Sequence, residues 1–379
     1  MTAVGRRIAV MRPMLGEEEA EAAAEAIRSG WVAQGPRVAE FERRFAAATV
    51  AAHAVALSNC TTALHLALVV AGIGPGDEVI VPSLSFIATA NAARYVGATP
   101  VFADVELATG NLTVSTVEAV VTDRTRAVIL VHQGGVPADV RAMREAARRW
   151  GVALIEDAAC AAGSTAYGQS VGTGALLAAW SFHPRKVITT GEGGMLTTDD
   201  AQWSARLRRL REHGMNISAA EREASATPVL EAYLETGYNY RMTDIQAAVG
   251  LVQLGRLPAI VAQRREVAAR YHELLSDVDG VTPVRDPAHG TTNYQSFWVL
   301  LPEGSDRNEV LAELAGAGVM ARRGIMAAHL EPAYADVHSL PLPTTERLTR
   351  DSLILPLHHE LSEADCEHVV TVLRKALGR

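Results

Sequence analysis

Cysteine is scarce in this sequence, and its few occurrences lie far apart. The chain has 379 residues and three cysteines, Cys60, Cys160 and Cys366. An odd number at this wide spacing does not supply a disulfide framework or the paired ligand spacing of a structural zinc site. We therefore expect neither disulfides nor a metal centre.

The sequence also lacks an excess of positive charge. Lysine and arginine together number 35 against 43 aspartates and glutamates, which gives a formal net charge of −8. A surface that binds nucleic acid needs clustered lysine and arginine. We therefore expect no nucleic-acid partner.

No long apolar run indicates a membrane segment. The first sixteen residues include Arg6, Arg7 and Arg12, and the apolar stretch between them is too short for a signal peptide or a spanning helix. The chain also has no low-complexity tract, and its composition is that of an ordinary folded protein. We expect no membrane partner and a cytoplasmic location.

What the sequence does contain is an alternation of strand-like runs and helical stretches. The runs cover residues 53–57, 78–81, 99–102, 127–131 and 152–155, and the helical stretches cover 61–71, 87–96, 115–121 and 140–150. This alternation is typical of right-handed crossovers and a largely parallel sheet in an α/β fold. Near residues 178–182 and 195–198 a tight glycine turn replaces the helix, which allows antiparallel additions.

The second half of the chain indicates a smaller unit. Two long helices are predicted over residues 243–254 and 259–275, the second bridging into an α+β segment that follows. A chain of this length is expected to form two domains. We predict a large domain over residues 1–255 and a small C-terminal α+β domain over residues 256–379.

Lys186 stands between an apolar run and a glycine-rich turn. Residues 175–182 form the run, His183-Pro184 ends it, and Gly191-Glu-Gly-Gly194 follows the lysine. A lysine at the end of a buried strand is partly desolvated, which favours the neutral amine that condenses with a carbonyl to form a Schiff base. A solvated surface lysine fits the same pattern, so this hypothesis depends on the other stretches.

A junction at residues 56–68 supplies a candidate phosphate site. The small and hydroxylated residues Ser58-Asn-Cys-Thr-Thr62 lead from a strand-like run into an apolar helix. Free N–H groups and the positive end of the dipole at a helix start bind anions. An ordinary Ser or Thr N-cap explains the same residues.

An acidic pair, Glu156-Asp157, directly follows another buried run. Ligands of α/β sheets bind at the carboxyl ends of the strands, and a carboxylate there can keep a pyridinium nitrogen protonated. A helix cap is the alternative explanation. Ser181, five residues before Lys186, can reach a phosphate. The order of phosphate loop, acid and lysine is the one expected of a pyridoxal-phosphate (PLP) enzyme with a parallel-sheet core.

From about Gly16 to its C-terminus the sequence resembles the DegT/StrS-type family of sugar aminotransferases, which have the aspartate-aminotransferase-like fold (PLP fold type I). The resemblance is carried in family order by Ser29-Gly-Trp-Val-Ala-Gln-Gly-Pro36, Gly76-Asp-Glu-Val-Ile-Val-Pro-Ser83, Glu156-Asp-Ala-Ala159, Ser181-Phe-His-Pro-Arg-Lys186, Gly191-Glu-Gly-Gly194, Gly237-Tyr-Asn-Tyr-Arg241 and Leu353-Ile-Leu-Pro-Leu357. The resemblance implies a mostly parallel sheet sandwiched by helices and pyridoxal 5'-phosphate as cofactor. It also implies a reaction of amino-sugar biosynthesis, in which an amino group is transferred from glutamate or glutamine to a nucleotide-linked keto-sugar.

The resemblance also implies roles for single residues. Lys186 would form the Schiff base and carry the proton, and Asp157 would pair with the pyridine nitrogen. Cys60, through its backbone, Thr61 and Ser181 would bind the cofactor phosphate.

Further roles concern the ring, the partner subunit and the substrate. Phe86 matches the aromatic residue that stacks on the cofactor ring, and Cys160 stands where a residue contacts its phenolic oxygen. Asn239 matches a residue that reaches the phosphate from the neighbouring subunit, which implies a homodimer with shared active sites. Trp31 and His329 are candidate substrate contacts, although a surface role explains His329 as well.

Two residues depart from the family pattern. The family usually has glycine at the position of Cys60 and commonly glutamine or histidine at that of Cys160. A cysteine at 60 still offers its backbone N–H to a phosphate. A thiol at 160 donates more weakly than an amide, which puts the contact with the phenolic oxygen in doubt.

Two other motifs have simpler explanations. Gly72-Ile-Gly-Pro-Gly76 follows a helix and precedes a strand, the reverse of a dinucleotide-binding loop, so a plain turn is expected. His358-His359 has no further ligand at metal-binding spacing, so we expect packing or surface histidines.

Two rival functions remain beside the aminotransferase. A sugar dehydratase branch of the family uses the pyridoxamine form of the cofactor and has histidine in place of the lysine, and a regulatory protein could retain the fold without catalysis. The presence of Lys186 and Asp157 disfavours both. The sequence does not identify the sugar, the ring carbon, the stereochemical outcome or the choice between glutamate and glutamine.

Overall fold

The computed structural model describes residues 7–218, 222 and 225–378. Its central layer is a seven-stranded sheet in the order β1-β9-β8-β5-β4-β2-β3. The strands are β1 (His53–Leu57), β2 (Glu78–Pro82), β3 (Thr99–Ala103), β4 (Thr125–Val131), β5 (Ala153–Asp157), β8 (Leu177–Ser181) and β9 (Gly194–Thr198).

One strand of this sheet runs against the other six. Strand β9 pairs antiparallel with both β1 and β8, whereas β8, β5, β4, β2 and β3 pair in parallel. The antiparallel addition expected at the glycine turn is therefore confirmed. Because six strands share one direction, their carboxyl ends meet at one edge of the sheet, and β9 begins at that edge.

Helices cover both faces of the sheet. Those along the first two thirds of the chain are α1 (Glu17–Arg28), α2 (Pro36–Thr49), α3 (Cys60–Val70), α4 (Ala88–Tyr95), α5 (Val114–Glu118), α6 (Val140–Trp150), α7 (Ala201–Leu210) and α8 (Asp244–Leu274). Strand β8 is fully buried, and its side chains alternate between two cores. Leu177 and Ala179 pack with α3 and α7, and Ala178 and Trp180 pack with α2.

The prediction of two separate helices over residues 243–275 was wrong, because α8 is one continuous helix that contains Pro258. A proline removes one backbone hydrogen bond of a helix. The turns around it remain helical because Leu254, Leu257 and Ile260 pack on the core that also holds α2. By length and composition alone α8 could cross a membrane, but it contacts α1 and α2 of the same chain.

A second sheet lies in the C-terminal part. Its order is β10-β12-β14-β13, and all its pairings are antiparallel. Its strands are β10 (Thr282–Pro283), β12 (Phe297–Leu300), β13 (Arg322–Arg323) and β14 (Ser352–Leu355). The other elements are the short strands β6 (Thr165–Ala166), β7 (Gln169–Ser170) and β11 (Gly290–Thr291), and the helices α9 (Arg307–Gly316), α10 (Pro343–Asp351) and α11 (Glu363–Ala376). Turns of 3-10 helix lie at Gln133–Gly135, Ala328–Leu330 and Pro332–Tyr334.

These layers confirm the predicted fold class of a mostly parallel sheet between helices with a smaller C-terminal α+β part. The division at residue 255/256 stays a prediction. One hydrophobic core continues from Val128 and Leu130 of the large sheet through Tyr271 of α8 to Phe297 and Leu353 of the second sheet.

Arg264 fastens α8 to the loop that precedes β12. Its side chain is 3% exposed, and its guanidinium donates to the carbonyl oxygens of Tyr294, at 2.8 and 3.0 Å, and Gln295, at 2.9 Å. Burial lowers the pKa of Arg264 to about 10. The charge is retained at neutral pH, because three charge-assisted hydrogen bonds offset part of the loss of solvation.

We predict that Arg264→Met destabilises the protein by about 2–5 kcal/mol, because it leaves buried carbonyl oxygens without donors. The midpoint of urea unfolding should fall accordingly. Arg43→Met is the matched control, because the Arg43 side chain is 70% exposed and should change stability by at most about 0.5 kcal/mol. Equal midpoints for the two variants would contradict this role of Arg264.

Candidate functional site

A buried carboxylate marks the carboxyl end of β5. Asp157 is 5% exposed, and its oxygens accept hydrogen bonds from the Thr89 hydroxyl at 2.9 Å and from the backbone N–H of Ala159 at 3.2 Å. Burial raises the pKa of Asp157, while these hydrogen bonds and the nearby Lys186 act in the opposite direction. The carboxylate is therefore fixed in place but not neutralised by a direct ion pair.

Lys186 follows the neighbouring strand β8 and is partly buried at the same edge. Its Nζ lies 3.1 Å from the Cys160 Sγ. Burial disfavours the ammonium, but the contact with Cys160 and the charge of Asp157 outweigh it, so the pKa of Lys186 is raised. Without a cofactor, the cationic form of this lysine is therefore favoured, with Cys160 as its direct contact.

Helix α3 begins beside these residues. Asn59 is its N-cap and accepts the N–H of Thr62 at 2.9 Å. Among the described residues no partner receives the N–H groups of Cys60 or Thr61, which leaves two donors at the positive end of the helix dipole. Burial, followed by the charge of Asp157, holds the pKa of the Cys60 thiol well above its usual value.

Gly194 allows α3 to start where it does. It opens β9 opposite Leu57 of β1, and a Cβ at this position would lie 2.3 Å from the carbonyl carbon of Asn59. Only glycine leaves room for that approach. The glycine turn after Lys186 therefore brings the lysine loop and the helix start to the same end of the sheet.

A second carboxylate next to Asp157 is held by charge partners. Glu156 is 1% exposed, and its carboxylate accepts hydrogen bonds from the Arg144 guanidinium at 2.6 Å and from His132 Nε2 at 3.4 Å. His132 Nδ1 accepts the N–H of Ala138, which places its hydrogen on Nε2. Burial works against the Glu156 carboxylate, but these contacts outweigh it and lower its pKa. Glu156 thereby fixes the end of β5 without facing the cleft.

An open cleft of about 510 Å³ lies in front of Lys186 and Cys160. The Phe86 side chain lines it and is 70% exposed. The opposite wall comes from the second sheet, through residues of β13, β14 and the segment after β13. A substrate in this cleft would lie between the two sheets.

The other predicted site residues lie at different distances from this cleft. Ser181 is buried at the end of β8, and Asn239 is exposed in a bridge with Glu212. Trp31 donates its Nε1–H to the Gln34 carbonyl and does not line the cleft.

His329 also lies outside the cleft lining. Its Nδ1 is 2.6 Å from the Ser83 hydroxyl and its Nε2 is 3.6 Å from Glu346. Both nitrogens thus face protein groups. The expectation that Trp31 and His329 contact substrate stays a prediction, with no support from their present positions.

Sequence reasoning missed three side chains of the site: Thr89, Gln295 and Arg322. Thr89 lies three residues after Phe86, and a hydroxyl near the start of the helix that follows β2 was the available signal. Gln295 and Arg322 are more than 100 residues from Lys186, and both line its cleft. No spacing rule connects them to the lysine, because tertiary folding alone brings them together.

This edge of the sheet fits pyridoxal phosphate. It combines a buried carboxylate for a ring nitrogen, an amine for a carbonyl carbon, two free N–H groups at a helix start for a phosphate, and an exposed aromatic ring beside the cleft. Asp157, Lys186, Cys60, Thr61 and Phe86 would supply these contacts. Among the described residues no three His, Cys, Asp or Glu side chains cluster as metal ligands.

The chain is similar to known proteins over nearly its whole length. It matches the DegT/DnrJ/EryC1/StrS aminotransferase family over residues 13–374. It is 40% identical over 377 residues to the GDP-perosamine synthase of Caulobacter vibrioides, covering 98% of each chain. It is 35% identical over 379 residues to the UDP-4-amino-4-deoxy-L-arabinose–oxoglutarate aminotransferase of Shewanella sediminis, covering 97% of each chain.

A solved structure extends the similarity to three dimensions. The aminotransferase TlmJ from Streptoalloteichus hindustanus superposes with a TM-score of 0.91 at 39% identity, covering 98% of this chain and 99% of that one.

We predict that Cys160→Ala lowers the pKa of Lys186 in the cofactor-free protein. The substitution removes the contact that raises this pKa and leaves the burial that lowers it. The sequence has only two lysines, Lys186 and Lys375, so reductive ¹³C-methylation should give two resolvable lysine titrations beside the signal of the N-terminal amine, with Lys375 as the internal reference.

Cys366→Ala is the control for this titration, because Cys366 is buried in α11. It should leave the Lys186 midpoint unchanged. A midpoint that is the same in all three proteins would show that the 3.1 Å contact does not govern the protonation of the lysine.

Proposed function

The chain belongs to the DegT/DnrJ/EryC1/StrS aminotransferase family, and from that premise we propose that it transfers the amino group of glutamate to the ketone carbon of a nucleotide-linked sugar. It is a PLP-dependent aminotransferase of amino-sugar biosynthesis. The observation that carries the proposal is the convergence of Lys186, Asp157 and the start of α3 at one edge of the sheet, where Lys186 lines an open cleft.

The substrate classes come from the relatives. One is named as a GDP-sugar synthase and the other as a UDP-sugar aminotransferase that uses oxoglutarate. Oxoglutarate is the keto acid that corresponds to glutamate, so glutamate is the donor favoured over glutamine. A cleft of about 510 Å³ in front of the lysine falls within the usual size range of small-ligand sites.

Lys186 and Asp157 would perform the chemistry on the bound cofactor. When bound, PLP supplies a carbonyl carbon that condenses with amines and a conjugated ring that takes up the electrons of a breaking Cα–H bond. The Lys186 Nζ would hold the cofactor and, when the donor amine takes its place, would accept the proton from the donor Cα as a general base. Asp157 keeps the proton on the ring nitrogen, because a nearby anion favours the charged form.

The rival dehydratase function is disfavoured by the lysine itself. Relatives of that branch resemble this chain but have histidine at the position, whereas Lys186 is present and faces the cleft. A regulatory protein without catalysis would have no use for the buried, unneutralised Asp157 carboxylate, whose burial is unfavourable. Both rivals therefore explain less of the site than the aminotransferase does.

We also propose a cytoplasmic homodimer with shared active sites. Asn239 is exposed and has no side-chain hydrogen bond among the described residues, and Phe86 exposes 70% of its surface at the cleft. An aromatic side chain of this exposure beside a catalytic lysine is expected to be covered by cofactor, by a partner or by both. The amide of Asn239 could then reach the cofactor phosphate of the other subunit.

We predict that borohydride reduction fixes the cofactor to Lys186, because the reducible bond joins it to that amine. Prior addition of glutamate should prevent fixation, since the donor displaces the lysine and leaves the cofactor with its own amino group. Subsequent addition of a nucleotide-linked keto-sugar should restore fixation. Peptide mass spectrometry locates the adduct, and a panel of GDP- and UDP-linked keto-sugars identifies the acceptor.

The small number of lysines allows the position of the adduct to be assigned without ambiguity. Lys375 is the only other lysine side chain, and Lys375→Arg should leave fixation unchanged. Lys186→Ala should bind the cofactor without fixation. An adduct on Lys375, or fixation that glutamate and glutamine both fail to prevent, would contradict the proposed reaction.

We predict that co-expressed Lys186→Ala and Asn239→Ala chains recover activity that neither variant has alone. A mixed dimer contains one site with both residues intact. Random pairing makes roughly half of the dimers mixed, so roughly a quarter of the wild-type rate should return. If the mixture shows only the sum of the two residual rates, Asn239 serves its own chain and the shared-site proposal fails.

A further inference from the structure

Cys160 and Lys186 bring two nucleophiles into direct contact at the cleft. The Cys160 Sγ lies 3.1 Å from the Lys186 Nζ, both residues are half-buried, and both line the cleft of about 510 Å³. A small solute that enters the cleft therefore reaches the sulfur and the amine together. A nitrogen at this distance can form a bond to the sulfur once the sulfur is oxidised.

Hydrogen bonds hold the backbone on both sides of this contact. The Cys160 carbonyl accepts a hydrogen bond from the Asn293 Nδ2 at 2.8 Å, and the Lys186 N–H donates to the His183 carbonyl at 2.8 Å. The two side chains thus meet because the fold fixes both backbones. The long lysine side chain can close the remaining distance to the sulfur without a backbone movement.

All three cysteines of the chain lie within the described residues, and their surroundings differ. Cys366 is 0% exposed in α11. Cys60 does not line the cleft, and burial, followed by the charge of Asp157, holds the pKa of its thiol well above the usual value. Thiolate character and access decide which cysteine is oxidised by peroxide. Cys160 has the access, and an ammonium beside a thiol favours the thiolate.

We propose that peroxide joins Cys160 to Lys186 through a reversible sulfenamide bond in enzyme whose Lys186 amine carries no cofactor. The contact therefore marks a modification site of the chain. The inference goes beyond amino transfer, because it requires only these two side chains, a peroxide as oxidant and a thiol as reductant.

The reaction balances in two steps. In the first, the Cys160 sulfur attacks one oxygen of hydrogen peroxide, the O–O bond breaks, and the thiol becomes a sulfenic acid with release of water. In the second, the Lys186 amine attacks that sulfur, an S–N bond forms, the S–O bond breaks, and a second water leaves. Sulfur loses two electrons and peroxide gains them. Two molecules of a thiol reverse the process and leave as a disulfide.

Oxidation of Cys160 also prepares the amine for the second step. In the reduced protein, burial works against the Lys186 ammonium, but the contact with Cys160 and the charge of Asp157 outweigh it and raise the pKa of the lysine. A sulfenic acid no longer provides a negative sulfur beside the ammonium. Burial then favours the neutral amine, which is the nucleophilic form.

The cross-link and the cofactor compete for one nitrogen atom. A Lys186 amine that is bonded to sulfur cannot condense with the carbonyl of PLP, and an amine that holds PLP cannot attack the sulfenic acid. Peroxide therefore blocks loading of the cofactor-free enzyme, and a thiol restores it. The cross-link also stops the oxidation of Cys160 before the irreversible sulfinic acid.

The test treats cofactor-free enzyme with hydrogen peroxide, alkylates the remaining thiols and digests the protein with trypsin. Because trypsin cleaves after Arg185, Cys160 and Lys186 lie on separate peptides. We expect mass spectrometry to find these peptides joined, with a mass lower by two hydrogen atoms than their sum. Dithiothreitol should release both peptides unmodified.

Loading with PLP gives a second readout. Peroxide-treated enzyme should not become fixable by borohydride at Lys186 when PLP is added, and dithiothreitol should restore fixation to the level of untreated enzyme. Enzyme that is loaded with PLP before the peroxide treatment should give no cross-link.

Four variants serve as controls. Cys60→Ala and Cys366→Ala should cross-link as the wild type does, because neither thiol supplies the sulfur. Cys160→Ala should give no cross-link. Lys186→Arg keeps the positive charge but lacks a nucleophilic amine, so its Cys160 should continue to sulfinic acid.

Three results in the wild-type enzyme would each overturn the proposal. They are a disulfide between Cys60 and Cys160, sulfinic acid on Cys160 beside an unmodified Lys186, and no oxidation of Cys160. Amino transfer does not enter this test. An enzyme without that activity can still form the cross-link, and an enzyme that forms no cross-link can still be an aminotransferase.

Discussion

The site depends on keeping one carboxylate charged inside the protein. Asp157 lies at the end of a central strand, 5% exposed, where burial raises its pKa and disfavours the charged form. Two hydrogen bonds, from Thr89 and from the Ala159 backbone, and the charge of Lys186 oppose that tendency. Ala159 follows Asp157 in the chain, whereas Thr89 comes from α4 and Lys186 from the segment after β8, so two of the three groups reach the carboxylate through tertiary structure.

The strand directions explain why these groups meet. Parallel strands bring Asp157 of β5, Ser181 of β8 and the start of α3 after β1 to a single edge. The antiparallel β9 then returns the chain to that edge, and Gly194 permits the close approach to Asn59. The loop that contains Lys186 lies between these elements, and they restrict the position of its amine.

Much of this arrangement was predictable from local patterns. The strand–helix alternation predicted the parallel sheet. Asp157, Lys186 and the start of α3 were each predicted as site residues from the few residues around them. Pro258 misled the helix prediction because packing on both sides of it outweighs one lost hydrogen bond. Gln295 and Arg322 were not predicted as site residues, because only the tertiary structure brings them close to Lys186.

The two walls of the cleft have different physical origins, and this suits a reaction with two unlike substrates. At the sheet edge, the buried Asp157 is fixed by hydrogen bonds from Thr89 and the Ala159 backbone. The opposite wall comes from the C-terminal sheet and the loop at residues 292–296. Arg264 holds that loop through the carbonyls of Tyr294 and Gln295, and Asn293 donates from it to the Cys160 carbonyl at 2.8 Å. The loop therefore ties the substrate-facing wall to the residue that contacts Lys186. A change in the loop can therefore alter both which substrate fits and where Lys186 lies, whereas Asp157 is held independently of the loop by Thr89 and the Ala159 backbone.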